Sequence, residues 1–328
     1  MKLCKIAALI SIPLMALSLQ VQAKNMRIGI GVPESHFEFV AMKKFEKHVE
    51  EYTKINVDIY PSNQLGNDQE ALEQIKFNAV QMNLPSPAVL GNIVKDFNIL
   101  TLPFIFPTEE IANQVVDGAW GDELSSKLAK AGYVGLGYGN FGFRHVTNNV
   151  RPIESVSDLD GLKLRTMQNK AHLDAFRALG ANPTPMAFSE LFSSLQQGVV
   201  DGQENPYTNI YSQRLYEVQK YVSDTGHVYS WVVFVVGKKF YDGLSSVEQT
   251  TLQEASRIAI KHMRASVKTQ DEKSLQSMID AGLTYTAIPD DVKAEMHKKV
   301  APVVQQYADK INPDLYKKLA DQVNSLQN

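Results

Sequence analysis

The first sixty folded residues of this chain change period in a regular way, and that alternation limits the fold more than any other feature. Met26 to Val32 is a short apolar run, and His36 to Tyr52 then carries Phe37, Val40, Ala41, Phe45 and Val49 at helical spacing. Ile55 to Tyr60 returns to the extended pattern, Asn67 to Asn78 is helical again, and Val80 to Leu84 is apolar enough for a third strand. Strand, helix, strand, helix, strand requires parallel strands joined by right-handed crossovers, so the chain opens as an α/β unit.

The pattern then repeats at larger scale. Two amphipathic helices follow Phe104-Ile105-Phe106, which Pro103 and Pro107 frame, and lead to a strand from Tyr133 to Tyr138. Arg144 to Asn148 and Leu162 to Met167 read as strands of a second α/β unit, with Ala171 to Leu179 as a helix that Gly180 ends. His227 to Val236 is a strand rich in Val and aromatic residues. Ser245 with Glu248 three residues on forms a capping box, and neither Pro nor Gly occurs from Ser246 to Ala281. That run permits one helix of roughly 50 Å at 1.5 Å per residue, although a break near Thr269, where the apolar face thins, would give two. Asp290 to Lys310, with a break or kink at Pro302, and Pro313 to Leu326 are the terminal helices.

At 328 residues the chain is long enough for two lobes. Residues 1–23 read as a cleaved signal peptide: Lys2 and Lys5 precede an apolar run shorter than the roughly 20 residues of a spanning helix, and Val21-Gln22-Ala23 suits cleavage. Export to the periplasm follows. The single cysteine, Cys4, lies inside that leader, so the mature chain has no disulfide and no thiolate chemistry. Removing Lys2 and Lys5 takes the formal charge from −3 to −5, and no basic stretch is interleaved with aromatics, which argues against nucleic acid as a partner. A negatively charged protein that binds anions must concentrate a few arginines in a cleft.

Pro183 to His227 is the most informative stretch. Ser189-Glu190 opens a short helix with Leu191, Phe192 and Leu195 on one face, Gly198 ends it, and Asp201-Gly202 turns the chain. Gln203-Glu204-Asn205 then stands on a stiff corner before Pro206, which starts the next helix. Upstream, alternation in Leu162-Lys163-Leu164-Arg165-Thr166 puts Arg165 on the face opposite the leucines. Its planar fork suits either a carboxylate ligand or a structural ion pair. Asn205 can donate and accept at once, as a carboxylate beside a hydroxyl or keto group demands, or can serve as a helix cap. Gly137-Tyr138-Gly139-Asn140-Phe141-Gly142 fits a dinucleotide fingerprint, but a strand and no helix follows it, so the glycines are read as permitting a crossing between lobes. No metal-binding spacing and no catalytic nucleophile motif is present in the sequence.

The segments YPSNQLGNDQEALEQIK, LPFIF, GFRHVTN, DLDGLKLRT, MAFSELFSSLQ, GVVDGQENP and YEVQKYVSDTGH together resemble the extracytoplasmic solute-binding proteins of TRAP transporters, of the dicarboxylate-binding type. The resemblance covers nearly all of the chain after Lys24. It implies a two-lobed α/β clamshell of the periplasmic-binding-protein kind, with mixed sheets, hinge strands and a long lobe-spanning helix. Residues 24–141 and 230–270 would form the first lobe, and 142–229 and 271–328 the second. It implies that Arg165 grips a substrate carboxylate together with Asn205, and that Arg144 is a second arginine for the same group or a neighbouring hydroxyl. Phe188 would cover the carbon chain, while His36, Gln64 and His227 are further candidates for the ligand's distal end. The implied partners are a small organic acid and the membrane permease of a sodium-driven secondary transporter; no cofactor and no catalysis are implied, and a monomer is expected. A six-carbon sugar acid, a uronate or keto-gulonate, is favoured, with C4-dicarboxylates next. Sialate is disfavoured because Pro85 and Ala88 fall where sialate-binding members place an acidic residue and an Arg. A secreted sugar-acid enzyme and a receptor feeding a sensor are the competing readings.

Overall fold

The structure, a computed structural model, describes Lys24 to Gln327; the leader read over residues 1–23 lies outside the described residues. Before the chain first leaves its starting lobe it lays down β1 (Lys24–Gly29), β2 (Ile55–Tyr60), β3 (Met82–Asn83) and the eleven-residue β4 (Tyr133–Phe143). Between the crossings lie β5 (His145–Asn148), β6 (Lys163–Thr166), β7 (Asn182–Pro185), β8 (Gly202–Asn205) and β9 (Tyr221–Ser223). The return strand is β10 (Tyr229–Gly237), and β11 (Thr284–Thr286) follows the long helix.

These strands form two sheets, ordered β2-β1-β3-β10-β4 and β11-β9-β5-β8-β6-β7. The parallel opening expected from the alternation is present, since β1 pairs parallel with both β2 and β3, while β10 runs antiparallel to β3 and β4. All nine residues of β10 are buried, because its two faces serve different cores. Val232, Phe234 and Val236 pack with Met42, Phe45 and Met263, whereas Trp231, Val233 and Val235 pack with Trp120 and Leu124. Each such side chain contributes about 1.5–3 kcal/mol of burial, which explains a run with no polar alternation.

The run free of Pro and Gly is one 35-residue helix, Ser246–Asp280, with the Ser245/Glu248 capping box formed. Its first half packs Leu252, Ala259 and Met263 into the first lobe's core, and Met278 near its end belongs to a core of the second lobe. The glycine motif is explained here. Gly137 and Gly139 lie inside β4 under this helix, where a β-carbon would come within 2.6 Å of Ile260 Cδ1 and 2.7 Å of Met263 Sδ. Close packing of helix on strand requires them, rather than the crossing itself.

Three further readings are corrected. Gln203-Glu204-Asn205 is not a corner but most of β8, an interior strand with every residue buried. The helix Asp290–Ile311 runs through Pro302 without a break, because Pro302 and Lys298 are both exposed and water can take the carbonyl that the proline leaves unpaired. The last helix, Pro313–Gln327, was grouped with the second lobe, yet Leu315, Leu319 and Val323 pack with Trp120, whose Nε1 donates to the Leu315 carbonyl at 2.9 Å.

Candidate functional site

Arg144 is the single residue between β4 of the first sheet and β5 of the second, so it sits on the crossing itself. Its backbone N–H donates to Val228 O at 2.9 Å, which ties the outgoing crossing to the returning one. β5 pairs antiparallel with β8, setting His145 opposite Asn205, and β8 pairs parallel with β6, setting Gln203 opposite Arg165. This register carries Arg144, Asn205 and Arg165 to one end of the central strands of the second sheet. There they line a cleft between the lobes together with Phe188, so the structure brings these four candidate residues together.

The two arginines differ in what they hold. Arg144 is 3% exposed and committed to Glu204: Nε lies 2.5 Å from Oε2 and Nη2 lies 2.9 Å from Oε1, with Nη2 also 2.6 Å from the Glu204 carbonyl. Its Nη1 reaches Ser230 Oγ at 3.1 Å, and Nη2 lies 3.1 Å from Asn205 Oδ1 as well. Burial alone would raise the Glu204 carboxyl, but the Arg144 charge and the His227 and Arg144 hydrogen bonds hold it well below the usual carboxylate range. A buried ion pair of this kind fixes geometry more than it adds stability.

Arg165 is equally buried but has no carboxylate partner among the described residues. Nε and Nη2 both donate to the Met186 carbonyl, at 3.0 and 2.7 Å, which locks the plane of the guanidinium. Burial pulls it down to about 10, so it stays cationic at neutral pH. Phe188 opens a short 3-10 turn, and its ring centroid lies 5.9 Å from the Arg165 Cζ. The Asn205 amide donates to Gln203 Oε1, and Gln203 in turn donates to Thr147 Oγ1 at 2.9 Å, so the amide is oriented from below.

The facing wall comes from the first lobe and carries acids. Glu38 lies in the first turn of the helix Phe37–Tyr52 and Asp68 in the first turn of Asp68–Lys76, and both line the cleft. Burial, reinforced by the Asp68 charge, raises the Glu38 carboxyl well above its ordinary value. Asp68 is pushed up to about 6 by burial, despite the Ser86 N–H and the Asn83 side chain beside it.

The other candidates lie elsewhere. His227 is behind the cleft rather than in it, with Nε2 3.0 Å from Glu204 Oε2 and Nδ1 2.8 Å from Thr225 Oγ1. His36 caps the helix Phe37–Tyr52, its Nδ1 accepting from Glu38 N at 3.2 Å. Burial lowers His36 to about 3, so it is a neutral ring packed on Phe141. Gln64 faces an outer groove with Gly66, Glu70 and Gln74, just after the left-handed pair Ser62 and Asn63. Asn63 faces the cleft instead, and its Nδ2 reaches Gly31 O at 3.3 Å.

Sequence reasoning missed Glu204, Glu38 and Asp68 as parts of the site. Glu204 stood in the polar tripeptide already singled out, and an acid between two amides ahead of a proline was the available signal. Glu38 and Asp68 look like ordinary first-turn acids that favour a helix N-terminus. Among the described residues no group of acids, histidines or cysteines is arranged to hold a metal ion, and no helix is long and apolar enough to cross a membrane.

Comparison with known proteins gives consistent matches. Residues 28–310 match the family model described as bacterial extracellular solute-binding protein, family 7. The C4-dicarboxylate-binding periplasmic protein DctP of Rhodobacter capsulatus is 38% identical over 275 residues, covering 83% of this chain and 82% of that one. The sugar acid binding protein DctPAm of Advenella mimigardefordensis, solved with galactonate, superimposes with a TM-score of 0.90 at 31% identity, over 92% of this chain and 98% of its own. A TRAP periplasmic solute binding protein from Polaromonas sp. JS666, bound to D-erythronate, gives 0.87 at 35% identity, over 90% and 98%.

Proposed function

The chain belongs to the family 7 bacterial extracellular solute-binding proteins, and from that membership we propose that it captures an organic acid in the periplasm and hands it to a TRAP-type permease. The acid's carboxylate sits on Arg165 and Asn205, and Phe188 covers the adjoining carbons. The favoured ligand is a sugar acid such as a uronate or a keto-gulonate; the galactonate and D-erythronate bound by the two similar structures support that class. A C4-dicarboxylate is the second reading, favoured by the relative from Rhodobacter capsulatus. The protein acts as a monomeric receptor and releases the acid unchanged.

The observation that carries this reading is the contrast between the two arginines. Glu204 neutralises Arg144, whereas Arg165 is buried, cationic, held flat by Met186 and aimed into the cleft. A buried cation without an anion is costly, and a ligand carboxylate is the partner that relieves it. Arg144 then acts as the support that holds Asn205 in position and not as the principal grip.

Calorimetric titration with the bound acid tests the assignment. Removing one side of a buried charge pair costs roughly 3–5 kcal/mol, so Arg165→Ala weakens binding by several hundred-fold or more. Arg165→Lys keeps the charge but loses the fork, and it is also expected to bind poorly. Near-native affinity in Arg165→Lys would rule out bidentate recognition.

A further inference from the structure

We propose that Glu38 and Asp68 form a second recognition wall that reads the hydroxylated tail of the ligand and rejects a second carboxylate, so that the acid carried is a polyhydroxylated monocarboxylate and not a dicarboxylate. This deepens the carboxylate reading above and rests on it.

Glu38 is only 2% exposed, it lines the cleft, and its carboxyl has no hydrogen-bond partner among the described residues. A buried polar group requires a partner, and the cleft that Glu38 lines is where a ligand can supply one. Asp68 faces the same space from the neighbouring helix. The wall they share contributes no cation: the cations lining the cleft are Arg144 and Arg165, both beyond the crossing, and Arg144 is already paired.

A ligand whose carboxylate sits on Arg165 must therefore point its other end toward two acids. A second carboxylate there meets like charge and has no counter-ion, whereas hydroxyls can both donate and accept. The state of the pair fits hydroxyls better than an ammonium. Burial and the Asp68 charge raise the Glu38 carboxyl well above its ordinary value, which favours a donor at Glu38 beside the acceptor Asp68 over a doubly negative site. Asn63 and Gln69 on the same wall add amides of mixed donor and acceptor character.

The test uses the mature protein and pairs of acids that differ only at the terminal carbon: galactonate with galactarate, gluconate with glucarate, and erythronate with meso-tartrate. In every pair that binds, the hydroxyl-ended member is expected to bind about 30-fold tighter or more, as like-charge rejection requires. Asp68→Asn, checked for an unchanged melting temperature without ligand, is expected to narrow that gap to within about 5-fold, since Asp68 carries the wall's charge. Equal or tighter binding of the diacid by the wild type, or a gap that Asp68→Asn does not narrow, overturns the proposal. So does tighter binding of 4-aminobutanoate than of erythronate, which would make the wall a cation site. These failures leave Arg165 untouched; binding of none of the acids, or full affinity in Arg165→Ala, would instead remove the carboxylate reading on which the proposal stands.

Discussion

Glu204 touches three residues at once: Arg144 through both carboxylate oxygens, His227 through one of them, and Asn205 as its neighbour on β8. Replacing it by Gln leaves Arg144 buried without a counter-charge, so Glu204→Gln is expected to cost about 3–5 kcal/mol of stability at pH 7. The pH dependence has a definite sign. Because its folded-state pKa is depressed, Glu204 contributes stability that is present above its ordinary value of 4.5 and is lost as pH falls below it. The difference between wild type and Glu204→Gln in denaturant melts is therefore expected to shrink as pH is lowered from 5 toward 3; a constant difference would show that the pair is not ionised. That Arg165, Asn205 and Phe188 would meet at one cleft was legible in the sequence because each sits in a motif carried by local pattern and by resemblance. The Arg144–Glu204 pair was not, since its partners are sixty positions apart and only the β5–β8 register joins them. Gln64 faces an outer groove while its neighbour Asn63 lines the cleft, in a loop with two left-handed residues that no periodicity announces.

Among the elements, the long helix joins the lobes, and its middle is where it meets the crossing. Asp271 lies there: a β-carbon on Gly142, which has φ +86°, would collide with its carboxylate, and its Oδ1 accepts weakly from Thr208 N at 3.4 Å. Burial first, and the nearby Glu109 and Glu272 charges as well, push Asp271 up to about 8, against the Thr208 hydrogen bond. A carboxyl raised in the folded state is neutral below its ordinary value, and stability falls as pH rises from about 4 to about 8. Asp271→Asn keeps the acceptor and removes the charge. It is expected to melt at a higher temperature than wild type at pH 9 and at the same temperature at pH 4; equal melting at both would show that this carboxyl ionises freely. The helix was readable because an uninterrupted run and a capping box are both local signals. The wetness of its middle reads as strut or as break in sequence alone, and packing against Gly142 and the helix Tyr207–Ser212 decides for the strut.

At the scale of the molecule, two α/β lobes share a cleft whose walls differ in chemistry: the cation Arg165 on one side, the carboxyl groups of Glu38 and Asp68 on the other. The lobes are also hydrogen-bonded across its mouth, with Asn92 Nδ2 3.0 Å from Gln168 O and Gln213 Nε2 3.4 Å from Gly31 O. The two-unit architecture followed from the alternation of periods, whereas the return of the last helix to the first lobe depended on a Trp120–Leu315 contact between distant segments. A chain with net charge −3 that nonetheless selects anions must do so through the cleft and not through its overall field. The melting temperature of the mature protein, with a uronate and with its neutral parent sugar, measures that selection within one carbon skeleton. A ligand at 1,000 times its dissociation constant adds about 4 kcal/mol, which at roughly 2–4 °C per kcal/mol is a rise of about 8 °C or more. Galacturonate or glucuronate is expected to give such a rise while galactose and glucose give none, since a neutral sugar would bury Arg165 without its counter-charge; an equal rise from the neutral sugar would contradict the carboxylate as the anchor and Arg165 and Asn205 as its site.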